Sequence, residues 1–415
     1  MIPVLVEACL KSTANVDIEE ISESVRAFIS LQVPVLFPGR VHIPVTSDLS
    51  NILEYIRVDD YDIEQYNGIV FTWMASIHIS VFRTFSDDEE PQQLDDSEPG
   101  DIPASTVLTL PSAGLEGLWE SLIFDHAVKD TLLNYCRASV LFSDMDIDPN
   151  IVSHNRVVLL HGPPGTGKTS ICKSLAHKLA IRMGSRFDRS ELVEINTHSL
   201  FSKWFSESGK LVMKLFDQIA ELADDPSCFL VLLLDEVESL SASRQAAMAG
   251  NEPTDSLRVV NALLTQLDQL KKRHNVLIMC TSNITEAIDI AFLDRADMRL
   301  YVGNPSPQCR YTILRGMVLE MIAKGVLQYE GKFDVAAPTK LVPAGVDSFT
   351  AESPVMGALR NIVEHTEGFS GRALRKLPFV AFSRHVVHDT AGLTPFLQQM
   401  EATAGTMRQE RQIQG

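Results

Sequence analysis

One stretch of the chain has residue types and spacing that prescribe chemistry. Gly162-Pro163-Pro164-Gly165-Thr166-Gly167-Lys168-Thr169 follows the pattern G-x-x-x-x-G-K-[ST], between an apolar run and a helical pattern. Glycines there let backbone N–H groups curl around a β-phosphate at a helix N-terminus. The lysine reaches the β/γ oxygens and the hydroxyl of Thr169 ligates Mg²⁺. A nucleoside triphosphate is the ligand such a loop suits. Downstream, Leu232-Leu233-Leu234-Asp235-Glu236 is an apolar strand ending in two carboxylates with different tasks. Asp235 would orient the Mg²⁺ shell, and Glu236 would polarise the attacking water as a general base. Asn283, in Thr281-Ser282-Asn283 at the end of the next apolar run, could hold that water. Arg295 could reach the γ-phosphate of an adjacent subunit as an arginine finger, the plainer alternative being an ion pair with Asp294 or Asp297. Arg372 opens a helical stretch and could sense the γ-phosphate in its own subunit, with Arg375 as its nearest competitor.

These groups need a sheet to hold them. Apolar runs at 156–160, 192–195, 229–234, 276–281 and 300–302 alternate with helical patterns, which is what a parallel sheet covered on both faces requires. Residues 115–142 have helical apolar spacing. From Pro305 the pattern turns helical, at 308–324, 355–365 and 371–385, implying a smaller α-rich unit. Residues 52–83 mix β-branched and aromatic types as strands of a small α+β unit. The acidic run at 86–101 has almost nothing to bury and predicts a disordered spacer. The predicted organisation is an N-terminal α+β domain (1–85), an acidic linker (86–109), a parallel-sheet α/β subdomain (110–304), a helical subdomain (305–405) and a tail (406–415).

Composition narrows the function classes. The chain has 415 residues, 45% hydrophobic, enough for two or three cooperative units. With 54 acidic against 36 basic residues and a formal charge of −18, whole-molecule attraction to a phosphate backbone is disfavoured, so a protein partner is expected over nucleic acid. Six cysteines lie without C-x-x-C or His pairing, which suggests reduced packing thiols rather than zinc or disulfides. The apolar stretch in residues 1–15 is interrupted by Glu7 and Lys11, a poor fit to a secretory signal. The longest apolar run, 229–234, falls far short of the roughly 20 residues of a membrane span. A soluble protein of the cytoplasm or nucleus is expected.

The phosphate loop, Asp235–Glu236, Asn283 and Arg372 together resemble an AAA+ ATPase module, with ATP and Mg²⁺ as its cofactors. More specifically, residues 119–125, the segment His198-Ser199-Leu200-Phe201-Ser202-Lys203-Trp204-Phe205-Ser206-Glu207-Ser208-Gly209-Lys210, the stretches 235–240 and 258–261, and Gly371-Arg372-Ala373-Leu374-Arg375-Lys376-Leu377-Pro378-Phe379 resemble the pachytene checkpoint protein 2 family, also called thyroid receptor-interacting protein 13. The likeness spans about residues 110–382; the first hundred residues match in general character only. It implies a ring homo-hexamer that remodels HORMA-domain proteins by threading an N-terminal segment of the client through its pore. Clients would be the closed spindle-checkpoint protein Mad-two, engaged through a HORMA adaptor, and meiotic chromosome-axis HORMA proteins. Lys203, Trp204 and Phe205 would then form the threading loop, gripping extended backbone by contact area. Residues 243–255, which lack apolar periodicity, would form a second pore loop. Two departures stand out. Ser206 occupies a position where many AAA+ unfoldases have Gly, as in the resembled family, and Arg295 is the one finger arginine where many relatives carry two, with Arg299 in reserve.

Readings from other classes make distinct predictions. A nucleotide-gated scaffold would not turn over ATP when client is added. A nucleic-acid motor would be stimulated by DNA. A membrane-tethered AAA+ protease would need the H-E-x-x-H zinc motif, which the sequence lacks.

Overall fold

The apolar stretch at the start of the chain is the middle of a sheet. In the computed structural model, which describes residues 1–14, 16–59, 70–86, 105–125, 128–145, 147–148, 151–197, 209–240, 255–284, 290–329, 354–385 and 390–414, β1 (Ile2–Leu10) precedes helix α1 (Ile18–Gln32) and the short strands β2 (Val35–Leu36) and β3 (Gly39–Val41). After the single turn α2 (Leu49–Ile52) come β4 (Leu53–Val58), β5 (Val70–Phe71) and β6 (Ala75–Phe82). Four of these form a sheet ordered β3-β4-β1-β6, with β1 antiparallel to β4 and parallel to β6. Asp17 caps α1 by accepting the Glu19 N–H at 2.9 Å, and Ile21, Val25, Phe28 and Ile29 form its buried stripe.

The central unit is built on a six-stranded sheet. Strand β7 (Ser105–Leu110) is followed by the turn α3 (Leu118–Ser121), helix α4 (Val128–Asp144) and β8 (Val157–His161). Next come α5 (Lys168–Arg182), β9 (Arg189–Asn196), α6 (Gly209–Asp224), β10 (Cys228–Asp235), α7 (Asp255–Leu270), β11 (Val276–Ser282), α8 (Ile290–Leu293) and β12 (Met298–Tyr301). The order is β12-β8-β11-β10-β9-β7, parallel except for the antiparallel edge strand β7. Alternate residues serve two helical layers. Leu230, Leu232, Leu234 and Ile278 pack toward α6 and α7, while Val231, Leu233, Leu277 and Met279 pack toward α4 and α5.

Two sequence-based expectations are corrected in this unit. Residues 105–109 are sheet rather than linker, because β7 pairs along β9 from Ser105 to Leu110 and buries Val107 and Leu110. The stretch expected as one helix at 115–142 is broken, since Leu122–Phe124 leave α3 to lie against the loop glycine Gly167.

The third unit is helical: α9 (Pro307–Ala323), α10 (Pro354–His365), α11 (Gly371–His385) and α12 (Leu393–Gln414), with the small strands β13 (Leu327–Gln328) and β14 (Ala391–Gly392) paired beside them. Leu314, Leu359, Phe369, Leu374, Phe396 and Met400 fill its core. The segment expected as a tail at 406–415 is helix through Gln414, because Met407 packs on this core and Arg408 donates to Glu367 at 2.8 Å. All six cysteines are free and buried.

The first two units meet on the C-terminal half of α5. Lys178, 2% exposed at its side chain, donates to Glu7 at 2.7 Å and to Glu120 at 3.0 Å, and lies 3.4 Å from Asp59. Arg182 also pairs with Asp59. Arg57 donates to Glu116 and Glu120, each at 2.9 Å. Burial pushes the Glu7 carboxyl up to about 7, against the pull of the Lys178 ammonium. Burial also acts to raise Glu116, but the His177 and Tyr55 side chains and the Arg57 charge hold it at about 2. An apolar contact of Cys9, Tyr55, Phe82 and Ile181 completes the interface. Removing one partner from such a pair leaves a buried uncompensated charge, so Lys178→Met should cost about 3–5 kcal/mol. Chemical denaturation followed by tryptophan fluorescence checks this, and an unchanged midpoint would contradict it.

Candidate active site

Strand β8 ends at His161 and the chain then turns sharply under β12. Gly162 has φ +141°, and a Cβ there would stand 2.3 Å from the Val302 carbonyl oxygen, so the strand-to-loop turn admits only glycine. Gly165 and Gly167 also have positive φ, +77° and +100°, and Lys168 begins α5 directly afterwards. The loop therefore ends on the unpaired N–H groups of a helix start, where an anion is favoured.

Lys168 is turned back across this loop, donating to the carbonyls of Gly162 at 2.8 Å and Pro163 at 2.7 Å. Burial lowers its pKa, with Glu238 and Asp235 acting in the opposite sense. Thr166 donates to the Pro163 carbonyl at 3.0 Å, while Pro164 continues the turn. Thr169 donates to Asp235 Oδ1 at 2.9 Å, joining the loop to the end of β10, and Thr281 of β11 donates to the same carboxylate oxygen. A hydroxyl and a carboxylate facing each other are the hard oxygen donors that suit Mg²⁺. The residues present thus fit both a triphosphate and its metal.

Glu236 is half-buried beside Asp235, with φ +62°. Asn283, half-buried past the end of β11, donates its backbone N–H to Glu238 Oε1 at 3.1 Å. The other Glu238 oxygen is buried without a hydrogen-bond partner among the described residues. On the opposite wall, Leu122 and Phe124 lie beside Gly167. Asp125 accepts from Ser306 N–H at 2.6 Å, linking this wall to α9.

The helical unit closes the site from above. Arg372 N–H donates to the Gly165 carbonyl at 3.0 Å, and Ser370 Oγ would lie 2.9 Å from a Cβ on Gly165. Arg375 instead donates to the Ser121 carbonyl at 2.8 Å, so of the two arginines it is Arg372 that stands at the loop. Arg295 makes a two-pronged ion pair with Asp268 of α7, at 3.0 and 2.7 Å. The expected intramolecular partners Asp294 or Asp297 are thus replaced by Asp268. Asp297 is engaged otherwise, accepting from Tyr135 at 2.9 Å and from the Asn155 and Arg156 backbone. Arg299 donates to the Leu293 carbonyl. Lys203, Trp204 and Phe205, and residues 243–254 of the second proposed loop, lie outside the described residues.

A loop wrapped onto a helix start, a hydroxyl–carboxylate pair, an acid at the next position and a helical unit capping the loop define an AAA+ ATPase module. Residues 158–304 match the family described as "ATPase family associated with various cellular activities (AAA)". Residues 306–408 match the "TRIP13-like, AAA+ ATPase lid C-terminal domain" and residues 1–87 the "TRIP13 N-terminal domain". The pachytene checkpoint protein 2 homolog of Arabidopsis thaliana is 42% identical over 388 residues, covering 91% of this chain and 82% of its own. The solved structure of C. elegans PCH-2 superposes with a TM-score of 0.80 at 32% identity, covering 98% of this chain and 99% of that one. A chain from the E. coli MS115-1 HORMA:CdnC:Trip13 complex shares the fold, with a TM-score of 0.52 at 18% identity over 71% of this chain and 93% of its own. The chain belongs to the pachytene checkpoint protein 2 (TRIP13-like) family of AAA+ ATPases.

The loop geometry makes a sharp prediction. Gly162→Ala places a methyl group inside the Val302 carbonyl and should cost about 2 kcal/mol or more. Its readouts are a lowered Tm and loss of ATP binding by fluorescent-analogue titration; parental values in both would show that the turn can relax.

Proposed function

We propose that the chain works as a homo-hexameric ring that uses ATP hydrolysis to remodel HORMA-domain proteins, engaged with a HORMA adaptor, by drawing an N-terminal client segment through its central pore. The observation that carries this is the convergence of Lys168, Thr169, Asp235 and Glu236 on one loop that Arg372 of the helical unit touches. It gives hydrolysis a direct path to the movement of a domain.

In this reading Lys168 exchanges its two carbonyl partners for the β/γ-phosphate oxygens. Thr169, with Asp235 acting through water, would hold Mg²⁺, which supplies charge neutralisation on those oxygens. Glu236 takes the proton of the attacking water and Asn283 holds that water. Arg372 reads the γ-phosphate within the subunit. Arg295 leaves Asp268 and reaches the γ-phosphate of its neighbour, which ties ring geometry to nucleotide state. Lys203, Trp204 and Phe205 grip the client. Family membership and the acidic balance of the chain support a protein client over nucleic acid. With chromosome-axis and checkpoint HORMA proteins as its clients, this reading would have the chain work in nucleus and cytoplasm. No helix among the described residues is long and apolar enough to cross a membrane.

Glu236→Gln should bind ATP and retain client while turnover drops by about 100-fold or more; normal phosphate release by this variant would refute the assigned base. Trp204→Ala should keep hexamers and nucleotide affinity yet lose conversion of a closed HORMA client, measured by ion-exchange separation of its two conformers. Undiminished conversion would remove the threading account.

A further inference from the structure

Glu236 is one of two non-glycine residues with positive φ among those described, at +62°. There the Cβ crowds the following carbonyl, and the conformation persists only where the surroundings overdetermine it. The peptide groups on both sides of Glu236 are held. On the amide side, Glu236 N–H donates to Thr281 Oγ1 at 3.3 Å. On the carbonyl side, Thr197 Oγ1 stands 2.6 Å from the Glu236 oxygen and 2.9 Å from the Asp235 oxygen. Its single proton is thus shared between two successive carbonyls. Val237 N–H donates to the Thr281 carbonyl at 3.0 Å, and Ser239 N–H is a further donor to the Glu236 oxygen at 3.1 Å.

The two hydroxyls reach Glu236 from strands on either side of β10. Thr281 lies in β11, and Thr197 directly follows β9. Thr197 is fully buried at 0% exposure, so no water competes for its proton. Among the described residues nothing hydrogen-bonds the Glu236 carboxylate itself. The hydrogen bonds described for Glu236 are all made by its backbone, which fixes where its Cα–Cβ bond points.

We propose that Thr197 is a positioning residue for hydrolysis: its hydroxyl holds the left-handed peptide at Glu236 and so aims the carboxylate at the attacking water. This rests on the reading of Glu236 as the base, and adds that a residue which never touches nucleotide decides the base's geometry. Thr281 shares the role but also donates to the Asp235 carboxylate, whereas Thr197 meets Asp235 only at its backbone oxygen, so Thr197 is the cleaner probe.

The test is steady-state ATPase kinetics on the full chain bearing Thr197→Val, which keeps the volume and removes the donor, and Thr197→Ser, which keeps the donor. Thr197→Val should lower kcat by about 10- to 100-fold, the scale of an ångström-size misplacement of a reacting group. Its KM for ATP and its affinity for a fluorescent ATP analogue should stay within about twofold of the parent, since the phosphate loop is untouched. Thr197→Ser should recover most of kcat. Thr197→Ala is measured alongside, and whichever donor-less variant binds the analogue with parental affinity serves for the comparison. Parental kcat in that variant, or an equal loss in Thr197→Ser, would overturn the proposal. Glu236→Gln in parallel separates the two assignments: turnover that survives it removes both, whereas turnover abolished by it but intact in Thr197→Val removes only the role of Thr197.

Discussion

Parallel pairing of buried strands is the constraint on which the site depends. β10 aligns with β9 so that Asp235 faces Asn196, and with β11 so that Leu234 faces Cys280; β11 aligns with β8 so that Ser282 faces His161. All these strands stop at one edge of the sheet, and the phosphate loop, both acids, Thr197, Thr281 and Asn283 emerge there together. Because side chains alternate with period two, a slip of one residue would send the apolar residues of β10 to the wrong helical layers and turn Asp235 away from Thr169. The same packing that stabilises the sheet therefore sets the catalytic geometry.

Where the candidate site residues sit could largely be read from the sequence, because a phosphate-binding pattern prescribes particular residues at fixed spacing. Gly162–Thr169 leads into the start of α5 and Asp235–Glu236 lies at the end of β10, and the five parallel strands were visible as apolar runs bounded by turns, four of them buried and the edge strand β12 half-buried to exposed. Features fixed by tertiary contact were not visible. β7 is short and its Ser and Thr residues look like linker until β9 pairs with them. The last turns of α12 are polar because only one side, through Met407, meets the core. Glu7 and Lys11 obscured β1: Glu7 seemed to break an apolar run, whereas its charge is buried against Lys178. The Asp268 partner of Arg295 comes from a distant helix, and local spacing favoured nearer acids. A threonine after a strand carries no periodic or motif signal, which is why Thr197 had to be seen in place.

Polar groups are distributed unevenly between the two ends of α5. At its start, Lys168 is satisfied by backbone carbonyls that a phosphate can replace, a provisional arrangement suited to repeated exchange. At its other end, Lys178 and Arg182 are enclosed by carboxylates of the first unit and of the segment before α4. One end is built for turnover and the other for permanence.

A helix of 15 residues spans about 22 Å, so these two ends are joined by a short, stiff rod. The N-terminal unit is consequently anchored to the rod that begins in the phosphate loop, rather than tethered only through the acidic stretch. Excising that unit would bare Lys178 and Ile181 to water and release α5 from its far anchor. An isolated ATPase core prepared this way would lack the polar cluster that closes the far end of the helix on which its phosphate loop is mounted.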